Sequence, residues 1–216
     1  MFFMITETFL TERRETKRII KDFENDHDLE FFGKNRGSNI AGGGAAIVID
    51  KRKGKFKEYS PVSTSFETVT VAGTMYGYGR KMVIVCSYMP PGGLAGHTTC
   101  KEEIIGILNQ AKVDFGDPFL LLGRDFNEFG KDDILSAVPD LREAVSPPTR
   151  SLSKIDLVAT NFNSAVQSSE ALEPLSDLDG VCSDHNVMSF RATLPKKHLS
   201  KWITIKKRKF TPEAEQ

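Results

Sequence analysis

Gly123-Arg124-Asp125-Phe126-Asn127 follows directly on the apolar run Phe119-Leu120-Leu121-Leu122, and Ser183-Asp184-His185 stands just ahead of Val187-Met188-Ser189-Phe190. Each string puts carboxylate, amide or imidazole groups at the end of an apolar, strand-like segment, where a sheet can hold several polar groups around one cleft. A carboxylate, an amide and a His–carboxylate unit, gathered with a hard metal ion, form the set that in-line attack on a phosphodiester requires. Asp125 and Asn127 lie two apart, so in an extended segment they share a face while Phe126 packs oppositely. Asp-x-Asn pairs also form turns, but the preceding apolar run and Gly123 favour a site here. Asp156 interrupts the buried-looking strand Lys154-Ile155-Asp156-Leu157-Val158. A carboxylate in such a place needs a partner, and His185 is the natural one, because the acid would orient the ring and raise its basicity. Glu7, just past Phe2-Phe3-Met4-Ile5, reads either as a hard-metal ligand or as a solvent-facing acid at a helix entry. Tyr88, before Pro90-Pro91, reads either as a hydroxyl held over a phosphate or as a core tyrosine.

The elements that must position these groups follow from periodicity. Phe2 to Ile5 reads as a buried strand entered abruptly, as if the chain began inside a fold. A helix is expected from about Thr11, a candidate cap, to Asp26, with Ile19, Ile20 and Phe23 on one stripe. Gly42-Gly43-Gly44 opens the strand Ala45–Ile49, and Lys51-Arg52-Lys53-Gly54 turns it back. No Gly-Lys-Ser/Thr string follows those glycines, so they mark a turn or bulge rather than a phosphate loop. Glu67–Ala72 and Lys81–Ser87 read as strands, Lys101–Val113 as a helix, Phe119–Leu122 as a central strand, and Ile155–Ala159 and Asn186–Ala192 as further strands. Strand-rich halves with interspersed helices imply an α+β fold of packed sheets.

A chain of 216 residues, 39% apolar and 27% charged, fits one soluble domain with a substantial core. Formal net charge is zero, so the field of the whole molecule does not advertise nucleic-acid binding. The basic charge is uneven, however: Lys196, Lys197, Lys201, Lys206, Lys207, Arg208 and Lys209 stand together without an acid among them. That run reads as a solvated terminus or as a phosphate-contacting segment. Cys86, Cys100 and Cys182 make an odd, widely spaced set, which suggests a reduced intracellular chain without a zinc site. No run approaches the ~18 apolar residues of a membrane helix, and the apolar start lacks the basic flank of a signal peptide.

Taken in order, these strings resemble the endonuclease/exonuclease/phosphatase superfamily, and most of all the endonuclease domains of LINE-type retrotransposons. Ile5-Thr6-Glu7-Thr8 is similar to the strand-end Glu motif, Gly42-Gly43-Gly44-Ala45-Ala46-Ile47 to the Gly-rich strand, and Tyr88-Met89-Pro90-Pro91 to the Tyr-x-Pro-Pro turn. Leu122 to Asn127 is similar to Gly-Asp-Phe-Asn, Pro148-Thr149-Arg150 through Ile155-Asp156-Leu157 to the Thr-Arg…Ile-Asp segment, and Ser183-Asp184-His185 to Ser-Asp-His. The resemblance implies a deoxyribonuclease I-like four-layer α/β sandwich, two mainly antiparallel sheets flanked by helices, over residues 1–194, with a basic tail or linker at 195–216. It further implies Glu7 and Asp184 as ligands of Mg²⁺ (or Mn²⁺), and His185 oriented by Asp156 as base or phosphate contact. Asp125 shares the proton chemistry, Asn127 holds the water or phosphate, and Tyr88 supports the transition state. The implied substrate is DNA, nicked to leave a 3′ hydroxyl, with a reverse transcriptase domain as companion and a nuclear setting.

Two departures stand out. The family's first strand, with its metal-site Asn, precedes the Glu strand, whereas this sequence opens at the Glu strand. Arg124 also replaces a small or apolar residue: outward it would be harmless, and inward it would compete with the metal for Asp125. Two alternatives stay open beside the endonuclease. One is a phosphatase of the same fold; the other is an inactive retroelement remnant that at most binds nucleic acid.

Overall fold

Along Lys81–Tyr88 successive side chains leave on opposite faces of the strand, and here both faces are apolar. Met82, Ile84, Cys86 and Tyr88 enter one core, while Val83 and Val85 enter a second. The next strand divides the same way, Phe119 and Leu121 against Leu120 and Leu122. Strands apolar on both faces belong in the middle of a covered sheet. The computed structural model of the chain, which describes residues 1–8, 14–35, 43–90, 94–125, 131–148, 156–173, 185 and 187–196, puts them there.

The strands are β1 (Phe2–Thr6), β2 (Leu29–Lys34), β3 (Ala45–Asp50), β4 (Gly54–Glu58), β5 (Glu67–Met75), β6 (Lys81–Tyr88), β7 (Phe119–Asp125), β8 (Arg142–Glu143), β9 (Asp156–Thr160), β10 (Val166–Leu172) and β11 (Val187–Ala192). The helices are α1 (Arg14–His27), α2 (Leu94–Phe115) and α3 (Lys131–Ala137). A six-stranded sheet runs β4-β5-β6-β7-β9-β8, a three-stranded sheet runs β1-β3-β2, and β10-β11 form a hairpin-like pair. β6 and β7 pair in parallel, which demands a crossover, and α2 supplies it. The other pairings of the large sheet are antiparallel.

One core lies between the sheets. Ala45, Ile47 and Ile49 of β3 meet Val69, Val71, Ile84 and Leu121 of the large sheet, with Phe2 and Met4 of β1 and Met188 and Phe190 of β11 packed against them. The other core lies under the helices, where Cys100, Ile104, Ile107, Leu108 and Ala111 of α2 and Ile134 of α3 cover the opposite face. Each fully buried Ile or Leu contributes roughly 1.5–3 kcal/mol relative to exposure. A Cβ on Gly123 would stand 2.6 Å from the Met4 sulfur, so the bare backbone of β7 is what lets the small sheet approach at the end that carries Asp125.

Several elements depart from the sequence expectations. β1 buries only one face, because Phe3 is 46% and Ile5 42% exposed. α2 begins well before Lys101, at Leu94, over a stretch whose His, Thr and Gly residues carry no apolar rhythm. β7 continues past Leu122 to Asp125, held between β6 and β9. Asp156 is the first described residue of β9, and Lys154 and Ile155 of the expected strand lie outside the described residues. β2 has no counterpart among those expectations: Glu30 and Gly33 break its alternation, yet it pairs with β3 residue by residue from Leu29↔Asp50 to Lys34↔Ala45. The expected cap Thr11 and the basic tail beyond Lys196 lie outside the described residues. Among the described residues no helix is long and apolar enough to cross a membrane.

Candidate active site

Strand register builds the site. Glu67 faces Tyr88 across β5–β6, Tyr88 faces Asp125 across β6–β7, and Asp125 faces Asp156 across β7–β9. These positions share the face that carries Val69, Ile84, Leu121 and Val158 into the inter-sheet core. Glu67, Tyr88, Asp125 and Asp156 therefore form a polar row across one end of an apolar face. With strands ~4.8 Å apart the row is roughly 15 Å long. All four residues are buried, Asp125 almost completely.

Two further groups close on this row. The Tyr88 hydroxyl donates to Glu7 Oε1 at 2.7 Å. Glu7 stands just beyond β1 with φ of 52°, a left-handed conformation that costs a non-glycine residue about 1–3 kcal/mol and marks functional sites when it persists. Behind it the Thr8 side chain fills the space that a Cβ on Gly44 would take, and Gly44 itself has φ of 95°. Deeper, the Cys86 thiol donates to the Ile5 carbonyl at 3.5 Å, with burial pushing that thiol up to about 12. It is a structural thiol, not a nucleophile. At the far end of the row His185 Nδ1 lies 3.0 Å from Asp156 Oδ2 and 3.2 Å from Oδ1. An ionised carboxylate only accepts, so it selects the Nδ1–H tautomer and leaves Nε2 as the lone-pair nitrogen of the neutral ring.

Donor atoms of Asp125, Asp156 and His185 lie within 4.8 Å of one another. Carboxylates on facing backbone positions concentrate negative charge in a buried place, and a divalent cation relieves that cost. A cluster of two carboxylates and one imidazole is a donor set that can hold a divalent cation.

No protein-family model and no curated protein sequence matches the chain. Solved structures do. The endonuclease domain of TRAS1, a telomere-specific non-LTR retrotransposon, superposes with a TM-score of 0.56 at 17% identity, over 78% of this chain and 82% of that one. The human Nocturnin catalytic domain with bound sulfate gives 0.58 at 12% identity, over 88% and 81%. The 3′ phosphatase NExo from Neisseria, bound to product DNA hairpin, gives 0.62 at 11% identity, over 89% of each chain. The chain has the endonuclease/exonuclease/phosphatase fold. The scores do not set the retrotransposon domain above the others, so the structure carries the fold of the broad group without singling out the LINE type.

Within the endonuclease/exonuclease/phosphatase fold of this chain, the residues read from the sequence distribute as follows. Asp125, Asp156, His185, Tyr88 and Glu7 gather at one end of the sandwich. Asn127 and Asp184 lie outside the described residues. The described donors that converge are thus Asp125, Asp156 and His185, while Glu7, expected to pair with Asp184 on a metal, holds Tyr88. Arg124 follows neither alternative, because it is buried but on the face opposite Asp125. Its Nη2 reaches Met89 Sδ at 3.4 Å on the helix side of the sheet, opposite to the face of Asp125. Burial lowers its pKa, with the nearby Cys100 and Asp125 opposing. Glu67 reads from the sequence only as the start of a strand. An acid opening an apolar strand, as at Asp156, is the signal that could have marked it.

Proposed function

We propose that this chain hydrolyses phosphodiester bonds in DNA with Mg²⁺ or Mn²⁺, as an endonuclease. The observation that carries this reading is the His185–Asp156 pair beside Asp125 in a buried polar row that ends at Tyr88 and Glu7. Asp125 and Asp156 are the residues to hold the cation, together with Glu7 and Asp184 as the sequence resemblance implies. When bound, the ion neutralises charge on the scissile phosphate. His185 accepts a proton at Nε2 because Asp156 holds the Nδ1 proton and stabilises the imidazolium. Tyr88, fixed by Glu7, directs its hydroxyl along the inter-sheet face, where charge develops on phosphate oxygens. Buried apolar neighbours on that face exclude competing water.

The retroelement setting, with a 3′ hydroxyl left for a reverse transcriptase domain, is supported by the ordered run of LINE-like strings and by the likeness to the TRAS1 domain. The test is nicking of supercoiled plasmid. Cleavage is expected with Mg²⁺ or Mn²⁺, to stop with EDTA, and to fall by about 10²–10⁴-fold in His185→Ala. The nicked ends should prime a DNA polymerase directly. Cleavage that survives His185→Ala would remove the basis of the reading. Release of phosphate from 3′-phosphorylated ends without nicking would move it to a phosphatase.

A further inference from the structure

Among the described residues, the layer facing the large sheet holds two open strand edges. β1 stands at the edge of the β1-β3-β2 sheet, and β11 pairs with β10 on one side. β1 packs over β6 and β7, where Met4 meets Gly123. β11 starts beside β9, the next strand of the large sheet, through the His185–Asp156 contact. Phe2 and Met4 of β1 and Met188, Phe190 and Ala192 of β11 are partly buried against one shared core. β10 is exposed along most of its length, so β11 takes the inner place and its free edge turns toward β1. The two edges run in opposite directions, since β1 leads toward Glu7 and β11 leads away from His185.

The edge of β1 has the chemistry of an edge that is covered. The Asp50 N–H donates to the Met1 carbonyl at 3.3 Å, and hydrogen-bonded pairs alternate along an antiparallel ladder. Phe2, Met4 and Thr6 therefore turn their N–H and C=O groups to the open side. Such an edge invites pairing, and charged side chains are a common deterrent. β2 carries Glu30 and Lys34, β4 carries Lys55, Lys57 and Glu58, β10 carries Glu170 and β11 carries Arg191. Phe2-Phe3-Met4-Ile5-Thr6 has no charge. Phe3 and Ile5 add an exposed apolar strip on its outer face.

The chain itself contains a segment of matching chemistry. After β11 it stays packed as far as Leu194, which is buried, and the Thr193 amide donates to the Ala165 carbonyl at 2.9 Å. Past Lys196, outside the described residues, stands Trp202-Ile203-Thr204-Ile205, an aromatic and β-branched island within a basic run. These residue types favour a strand, and alternation sets Ile203 and Ile205 on one face and Trp202 and Thr204 on the other. The stretch from Lys196 to Trp202 reaches about 20 Å when extended, several times the ~4.8 Å between neighbouring strands. The chain can therefore turn back beside β11.

We propose that residues 202–205 dock as a strand between β11 and β1, antiparallel to the first and parallel to the second. Ile203 and Ile205 then complete the core beside Phe2, Met4 and Phe190. Trp202 lies over Phe3 on the outer face, where its indole N–H reaches water. The strand ends by carrying Lys206 and Lys207 to the rim of the site, beside Glu7.

The test uses the full chain and two readouts. Trp202 is its one tryptophan, so indole fluorescence reports on this segment. Its emission is expected to lie to the blue of the urea-unfolded chain, with weaker quenching by acrylamide. Amide hydrogen exchange followed by NMR reads the other partner. The Met4 and Thr6 amides are expected to be protected, and Ile203→Asp should speed their exchange by about 10²-fold while leaving the amides of β4 unchanged. Ile203→Val should keep the protection. Emission and quenching equal to those of the urea-unfolded chain, or Met4 and Thr6 exchanging at open-chain rates, would refute the docking. Protection that survives Ile203→Asp would refute it too, and its loss on dilution would assign the edge to a second copy of the chain. The fluorescence of the unaltered protein keeps the test decisive should Ile203→Asp fail to fold. Nicking activity enters neither readout, so the docking and the hydrolytic reading stand or fall separately.

Discussion

His185 and Asp156 are joined side chain to side chain. The Nδ1 contact of 3.0 Å to a carboxylate that is 6% exposed ties ring orientation and tautomer to a single partner. Asp156→Asn retains the shape but can present an N–H to the ring, selecting the wrong tautomer. A comparable change in a catalytic triad costs about 10⁴-fold. We expect Asp156→Asn to lower the single-turnover nicking rate by about 10²–10⁴-fold. The double variant with His185→Ala should be no more than a few-fold worse than the poorer single variant, since each change removes the same function. Multiplicative losses in that cycle would mean that Asp156 acts independently of the ring, on the cation alone.

At the scale of elements, the exit of β1 and the entry of β3 hold each other. β1 pairs with β3 from Phe2↔Ile49 to Thr6↔Ala45, so Glu7 and Thr8 leave the sheet directly beside Gly44. Gly44 has φ of 95°, and a Cβ there would meet the Thr8 hydroxyl. Alanine at this position suffers both a backbone that L-residues avoid, at roughly 1–2 kcal/mol, and a clash with the segment that aims Glu7 at Tyr88. Gly44→Ala is therefore expected to destabilise the fold by about 1–3 kcal/mol in urea unfolding. Adding Thr8→Ala should restore part of this, since it removes the clash and leaves the backbone cost. No recovery in the double variant would show that the backbone conformation accounts for the whole loss.

For the whole molecule, 29 basic and 29 acidic side chains cancel, so under the proposed function any DNA affinity depends on where charge is concentrated. The Lys51–Lys53 turn is a weaker candidate than its sequence suggests. Arg52 Nε lies 2.8 Å from Asp50 Oδ1, and this hydrogen-bonded guanidinium holds the Asp50 carboxyl down to about 2. The tail from Lys196 to Lys209 is the denser concentration. Ending the chain at Pro195 should reduce both duplex affinity and the magnitude of the slope of log K against log salt, by about 0.9 for each phosphate that the tail neutralises. Cleavage of a small phosphodiester should persist. An unchanged slope would assign the tail to a spacer.

Reading the chain alone gives the candidate residues and most of the strands that bear them. Apolar runs ending in Tyr88 and Asp125 announced strand ends with polar groups, because a stretch buried on both faces has to be continuously apolar, and His185 stands just ahead of the run that forms β11. The amphipathic rhythm likewise placed the inner half of α2. Elements whose stability is borrowed from neighbours were not legible. β2 is ordered by its pairing with β3, and β10, polar along most of its length, is ordered by its pairing with β11. Tertiary structure alone decided which side chains stand abreast. Register across β5, β6, β7 and β9 put Glu67 in line with Tyr88, Asp125 and Asp156, and pleat parity sent Arg124 to the helix side. A shift of one residue in any of these pairings would have turned a site residue to the opposite face. Register is a property of two strands together, and neither strand's sequence contains it.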